Sequence, residues 1–145
     1  MTEHFSLVEL TASQEATRHG INNKPNEKVV ENLRMLAALL EQVRELLGGG
    51  AIRISSGYRS LMLNRHIGSN DTSAHVRGYA ADFTCPSFGT PIEVAKEIAG
   101  SNLKFDQLIC EGNAWRHISC DPQNRRQVLT ARFEHGHTYY TTGIT

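Results

Sequence analysis

An α+β fold, with a small antiparallel sheet flanked by one long and one or two short helices, follows from three features of the sequence. Between Glu27 and Leu47, apolar residues recur every three or four positions, the period of one helix face. From Ala51 to Cys120, several short runs alternate apolar with polar residues instead, the period of strands. Helical and strand-like stretches do not alternate regularly, so the βαβ rhythm of a parallel sheet is missing.

Residues 1–24 are mixed and polar, with Phe5, Leu7, Val8 and Leu10 as their apolar cluster. They read as one short element packed on the main body, then a loop through Gly20 and Asn22-Asn23. Pro25 suits the first turn of a helix. Val29, Leu33, Leu36, Leu40, Val43 and Leu47 then form one stripe, with charged residues on the other faces. About three heptads is short for a coiled coil, so the stripe is read as core-facing. Gly48-Gly49-Gly50 ends the helix. Ile52 and Ile54 mark a strand to Ser55, Ser56 to Ser60 a turn, and Leu61 to Ile67 a short helix. Tyr79 to Thr84 is expected as a strand, with Ala80 and Asp82 sharing one face. Thr90-Pro91-Ile92-Glu93 has capping-box spacing and opens a helix to about Ala99. Phe105–Glu111 and Trp115–Cys120 read as strands joined by a tight turn at Gly112-Asn113-Ala114. Val128, Leu129, Ala131 and Phe133 suggest one more strand in the tail.

A chain of 145 residues with 39% hydrophobic and 21% charged residues fits one soluble globular domain. Fifteen basic and fifteen acidic residues cancel, so no global field favours nucleic acid or anionic membranes. No apolar run approaches the roughly 20 residues that span a bilayer. The N-terminus lacks a basic segment followed by an apolar run, so synthesis in the cytoplasm without a signal peptide is expected. The three cysteines, Cys85, Cys110 and Cys120, contain no CxxC pair and are read as packing residues.

The chemistry concentrates in Ser73-Ala74-His75-Val76-Arg77-Gly78-Tyr79-Ala80-Ala81-Asp82. Gly78 lets the chain swing back, so that Asp82 projects from its strand beside the His75 loop. Trp115, His117 and Ser119 share one face of the later strand. Two imidazoles and one carboxylate with an open position form a known donor set for catalytic zinc, so one Zn2+ is expected on His75, Asp82 and His117. Glu111, folded back by the hairpin, is the candidate general base. Arg59 is placed to bind a carboxylate or steady a tetrahedral oxyanion. Trp115 is read as packing beside the ligand, with contact to substrate as its other role. His135 and His137 would share a strand face but lack a third ligand nearby. His4, His19 and His66 show no spacing that argues for chemistry.

Ser73, His75, Gly78, Ala80 and Asp82 match Ser-x-His-x-x-Gly-x-Ala-x-Asp, the first signature of the zinc D-Ala-D-Ala carboxypeptidase family. The chain resembles that family, which includes VanX-type dipeptidases and phage peptidoglycan peptidases, over roughly residues 5–120. Ser56-Gly57-Tyr58-Arg59-Ser60 looks like its upstream motif, and Trp115-Arg116-His117-Ile118-Ser119 like its closing motif. The resemblance implies a D-Ala-D-Ala carboxypeptidase/hedgehog-like fold and zinc ligation by His75, Asp82 and His117. It implies a substrate-contacting Arg59 and a nearby hydroxyl at Ser73. Several relatives carry an acidic base three residues before the last histidine, where this chain has Ala114; Glu111 sits at the spacing of the small, phage-associated branch.

The activity so implied is hydrolysis of peptide bonds involving D-residues in peptidoglycan stem peptides, by a monomeric phage or prophage lysin that reaches the wall through a pore or at lysis. Two other readings stand beside it: a non-catalytic zinc-containing cell-wall-binding or structural module of the same fold, and a cytoplasmic D-Ala-D-Ala dipeptidase.

Overall fold

The computed structural model describes residues 1–144. Its N-terminal cluster forms two short helices rather than one element, α1 (Leu7–Thr11) and α2 (Gln14–Arg18). Each begins at a serine: the Ser6 hydroxyl accepts from the Glu9 amide and the Ser13 hydroxyl from the Ala16 amide. The long helix α3 (Glu27–Leu46) starts at Glu27, where the apolar period begins, and leaves Pro25 just outside it. Asn26 is its cap, accepting from the Val29 amide through its side chain. Every stripe residue from Val29 to Leu47 is buried, as the helical period requires. Asn32 is buried among them and donates from Nδ2 to the Arg77 carbonyl at 2.9 Å, tying α3 to the loop that carries His75.

Strand β1 (Arg53–Ser56), α4 (Leu61–His66), a 3-10 turn (Ala74–Arg77) and β2 (Ala80–Thr84) follow. Helix α5 (Pro91–Ala99) opens on both reciprocal bonds of the Thr90/Glu93 capping box. The hairpin β3 (Gln107–Glu111) and β4 (Trp115–Ser119) turns at Gly112 as expected. The tail differs from expectation. It forms two strands, β5 (Gln127–Glu134) and β6 (His137–Thr142), turning through left-handed His135 and Gly136 at φ 51° and 77°. His135 therefore sits in the turn, and the pair His135/His137 does not share a strand face.

The six strands form one sheet in the order β1-β2-β4-β3-β5-β6. The sheet is mixed rather than antiparallel throughout, because β3 and β5 run parallel. Both edges of β4 are occupied, by β2 and β3, so the chain leaving Ser119 crosses to the free edge of β3. It arrives at the end where β3 begins, pairing Gln127 with Gln107, and runs in the same direction. Asp106 anchors that crossing. Its carboxylate, 3% exposed, accepts two hydrogen bonds of 2.8 Å from the Arg125 side chain and one of 3.1 Å from the Arg125 amide.

The Arg125 side-chain bonds hold the Asp106 carboxyl below its usual range although burial pushes it up. A carboxyl depressed in the folded state contributes stability above its unfolded pKa, about 3.9, and loses it as pH falls through the folded value. The stability gap between wild type and Asp106→Asn is therefore expected to be widest above about pH 5 and to narrow towards about pH 3. Denaturant unfolding across that range measures it; a gap independent of pH contradicts the assignment.

Alternation then divides the sheet into two faces. Ala81, Phe83, Leu108, Cys110 and Ile118 point to one side and join α3 and α5 in the hydrophobic core. Asp82, Ile109, Glu111, Trp115 and His117 point to the other. The three cysteines are unpaired, with Cys85 and Cys110 buried, and burial pushes the Cys120 thiol up to about 12. Among the described residues, no helix is long and apolar enough to cross a membrane.

Candidate metal centre

His75 occupies the 3-10 turn, whose cap is Ser73; the Ser73 hydroxyl accepts from the His75 amide at 3.3 Å. Gly78 ends the turn with φ 77°, and a Cβ there would lie 3.0 Å from Val29 Cγ1 and 3.1 Å from the Val29 carbonyl oxygen. Position 78 thus demands glycine for its backbone and for its closeness to α3. From there the chain enters β2, where Asp82 stands directly opposite His117 of β4.

The Asp82 Oδ1 atom lies 3.2 Å from His75 Nε2 and 3.0 Å from His117 Nδ1. His75 Nδ1 donates to the Gly57 carbonyl at 2.7 Å. With that proton committed, Nε2 of a neutral His75 presents a lone pair to a carboxylate oxygen. Two acceptors so close need a proton or a cation between them. Burial lowers the His75 pKa, since its side chain is 2% exposed, and so disfavours the proton. Burial also opposes charge on Asp82, but hydrogen bonds and attraction from the two histidines hold its carboxyl well below the usual range. A cation resolves the conflict. Donors bound about 2.0–2.1 Å from a tetrahedral ion lie roughly 3.3 Å apart, close to the spacings found. The donor set fits zinc, and His117 completes it with its rings' centroids 5.0 Å from His75's.

A cleft of about 460 Å³ opens beside these atoms, and all seven residues singled out from sequence line it: Arg59, Ser73, His75, Asp82, Glu111, Trp115 and His117. Register explains the convergence. In the hairpin, His117 faces Ile109 and Trp115 faces Glu111, so Glu111 shares the face of His117 one pleat further along. Trp115 Nε1 donates to the Glu111 carboxylate. Burial, then repulsion from Asp82, raises the Glu111 pKa against those stabilising contacts. Arg59 is fastened by its amide, which donates to the His75 carbonyl at 3.1 Å, while Nη2 reaches the Ser73 hydroxyl at 3.5 Å. Burial lowers its pKa, opposed by the charges of Asp82 and Glu111. Its Nε is buried and has no acceptor among the described residues.

Among the other residues lining the cleft, Gln107, Ile109, Leu129 and Tyr140 come from the sheet, and none of them is read as a site residue from the sequence. Alternation along β3 places Gln107 and Ile109 beside Glu111, a signal present in the sequence. Leu129 and Tyr140 carry no such signal. They reach the cleft because β5 pairs with β3, setting Leu129 against Ile109, and β6 then sets Tyr140 against Ala131.

Two imidazoles and a carboxylate held on an open cleft form the donor set of mononuclear zinc hydrolases. The chain belongs to the Peptidase M15 family, whose model matches residues 3–119. That family is zinc-dependent and composed of metallopeptidases. No curated protein matches the chain. Strands β5 and β6, with Leu129 and Tyr140, lie beyond the matched residues.

Proposed function

We propose that this protein is a zinc D,D-peptidase that hydrolyses peptide bonds in peptidoglycan stem peptides, as a carboxypeptidase or endopeptidase. His75, Asp82 and His117 hold one zinc ion, Glu111 is the general base, Arg59 and Ser73 bind substrate, and Trp115 braces Glu111 and contacts substrate. The observation that carries the reading is the donor triad at tetrahedral spacing, with Glu111 and Arg59 on the same cleft.

When bound, zinc lowers the pKa of a water to about 7 and polarises a peptide carbonyl. Glu111 takes the proton from the attacking water and returns it to the departing amine. Burial and repulsion from Asp82 raise its pKa, which suits a carboxyl that must hold the proton before delivering it to the amine. Arg59 offers its charge on the cleft wall to a substrate carboxylate or to the developing oxyanion. Tyr140 and Leu129 wall the far side of the cleft and limit which stem residues enter.

The wider setting is that of a monomeric phage or prophage lysin, made in the cytoplasm and acting on the wall after lysis or through a pore. This part rests on the likeness to the small, phage-associated branch. Purified protein with zinc is expected to release stem-peptide fragments from sacculi, identified by mass spectrometry, and a chelator is expected to stop it. Sacculi left intact in the presence of zinc would sink the proposal. Free D-Ala-D-Ala cleaved faster than sacculi would move the activity to a dipeptidase.

A further expected result concerns Gly57, whose carbonyl orients His75. A Cβ there would fall 2.3 Å from the Leu10 carbonyl oxygen, so Gly57→Ala must shift the backbone. Loss of a histidine ligand's orienting partner typically weakens metal binding about 10–100-fold, the effect expected here. Competition against a chromophoric chelator measures it, and unchanged affinity would dismiss the orienting role.

A further inference from the structure

Helix α2 and the end of α4 bring together Glu15 and His19, one helical turn apart, and His66, which is distant from both in sequence. Glu15 Oε2 lies 3.3 Å from His19 Nε2 and 3.5 Å from His66 Nε2. The two imidazole rings stand 4.3 Å apart, tilted by 50°. His19 caps α2, and its amide donates to the Glu15 carbonyl at 3.1 Å, so the helix itself sets the spacing of these two residues. Glu15 is oriented from its other side, where Arg18 donates to Oε1 at 3.1 Å and leaves Oε2 to the histidines. His66 comes from the last turn of α4.

We infer that Glu15, His19 and His66 form a second binding site for a divalent transition-metal ion, separate from the catalytic donors. Their donor atoms have nearly the spacing of the His75/Asp82/His117 set, and all three lie within 4.8 Å of one another. Imidazoles with one carboxylate select zinc, cobalt, nickel or copper over magnesium or calcium, which prefer all-oxygen sites. The side chains are 42%, 44% and 36% exposed for Glu15, His19 and His66, so the remaining coordination positions face water. That exposure makes this the weaker of the two sites. An ion there joins α2 to α4 at the rim of a second groove of about 660 Å³. Glu15 and Ser13 line one end of this groove, and Arg59, Asp82 and Trp115 of the catalytic cleft line the other. Binding therefore holds the N-terminal helices against the element that follows Arg59.

Metal binding at Glu15, His19 and His66 is independent of peptidase activity, and stoichiometry tests it. The wild-type chain, dialysed against zinc and assayed for bound metal, is expected to take up two ions per chain in a tight and a weaker phase. His66→Ala and Glu15→Gln, at an exposed and a half-buried position, are expected to keep the tight ion and lose the weaker one. His117→Ala is expected to do the reverse. Zinc added beyond the first equivalent should raise the melting temperature of wild type and leave that of His66→Ala unmoved. A wild type that binds one ion overturns the inference, as does a weaker ion retained by both Glu15→Gln and His66→Ala. Two ions bound to a protein inactive on sacculi would uphold this site while refuting the peptidase.

Discussion

Replacing His117 with alanine is expected to remove the tightly held zinc ion and with it hydrolysis of stem peptides. Losing a partner that merely orients a ligand costs about 10–100-fold in affinity or activity, and losing the ligand itself costs more. The fold should survive. His117 lies on the cleft side of β4, away from the core formed by Phe83, Leu108 and Ile118, and alanine removes no core contact. Asp82 keeps His75 at 3.2 Å, so its carboxylate retains one partner. The measurements are metal content after dialysis, circular dichroism and fragment release from sacculi. Normal cleavage by His117→Ala would mean that the metal, or the chemistry, is elsewhere.

Glu111→Gln is expected to separate chemistry from binding. Glutamine has nearly the shape of glutamate and still accepts from Trp115 Nε1, but it cannot take a proton from water. Turnover should fall by about 10²–10⁴-fold, the usual contribution of a positioned base. Zinc content, thermal unfolding and substrate affinity should stay near wild type, because Glu111 is not among the three clustered donors. Loss confined to kcat would place Glu111 in the reaction. Unchanged turnover would remove it as the base. A wild type without turnover that still binds zinc and sacculi would point to the non-catalytic module.

Much of this architecture is legible in the sequence. The stripe from Val29 to Leu47 is a local period, and a helix is the conformation that puts those side chains on one side. The Thr90/Glu93 box and the Glu111–Trp115 turn are likewise settled within a few residues of chain. The seven cleft residues came from four separate stretches, located by donor type and motif and meeting on one cleft.

Other features were not legible, for a shared reason. Two short helices replaced one N-terminal element because Ser6 and Ser13 each cap a single turn, a competition too close for so polar a segment to decide by pattern. The tail's two strands, its parallel pairing with β3 and its contribution of Leu129 and Tyr140 all depend on which sheet edge remained free. The meeting of Glu15 and His19 with His66 depends on how α2 packs beside α4.

By itself, then, the sequence determined the period of the long helix, the Thr90/Glu93 cap and the hairpin turn, since each follows from interactions between neighbours along the chain, and it marked the candidate donors by residue type and motif. Strand order, the mixed sheet, the cleft wall and the Glu15/His19/His66 cluster were decided by tertiary structure alone. Each arises where distant segments compete for the same edge or surface, and the packing of the whole core, rather than any local preference, selects the winner.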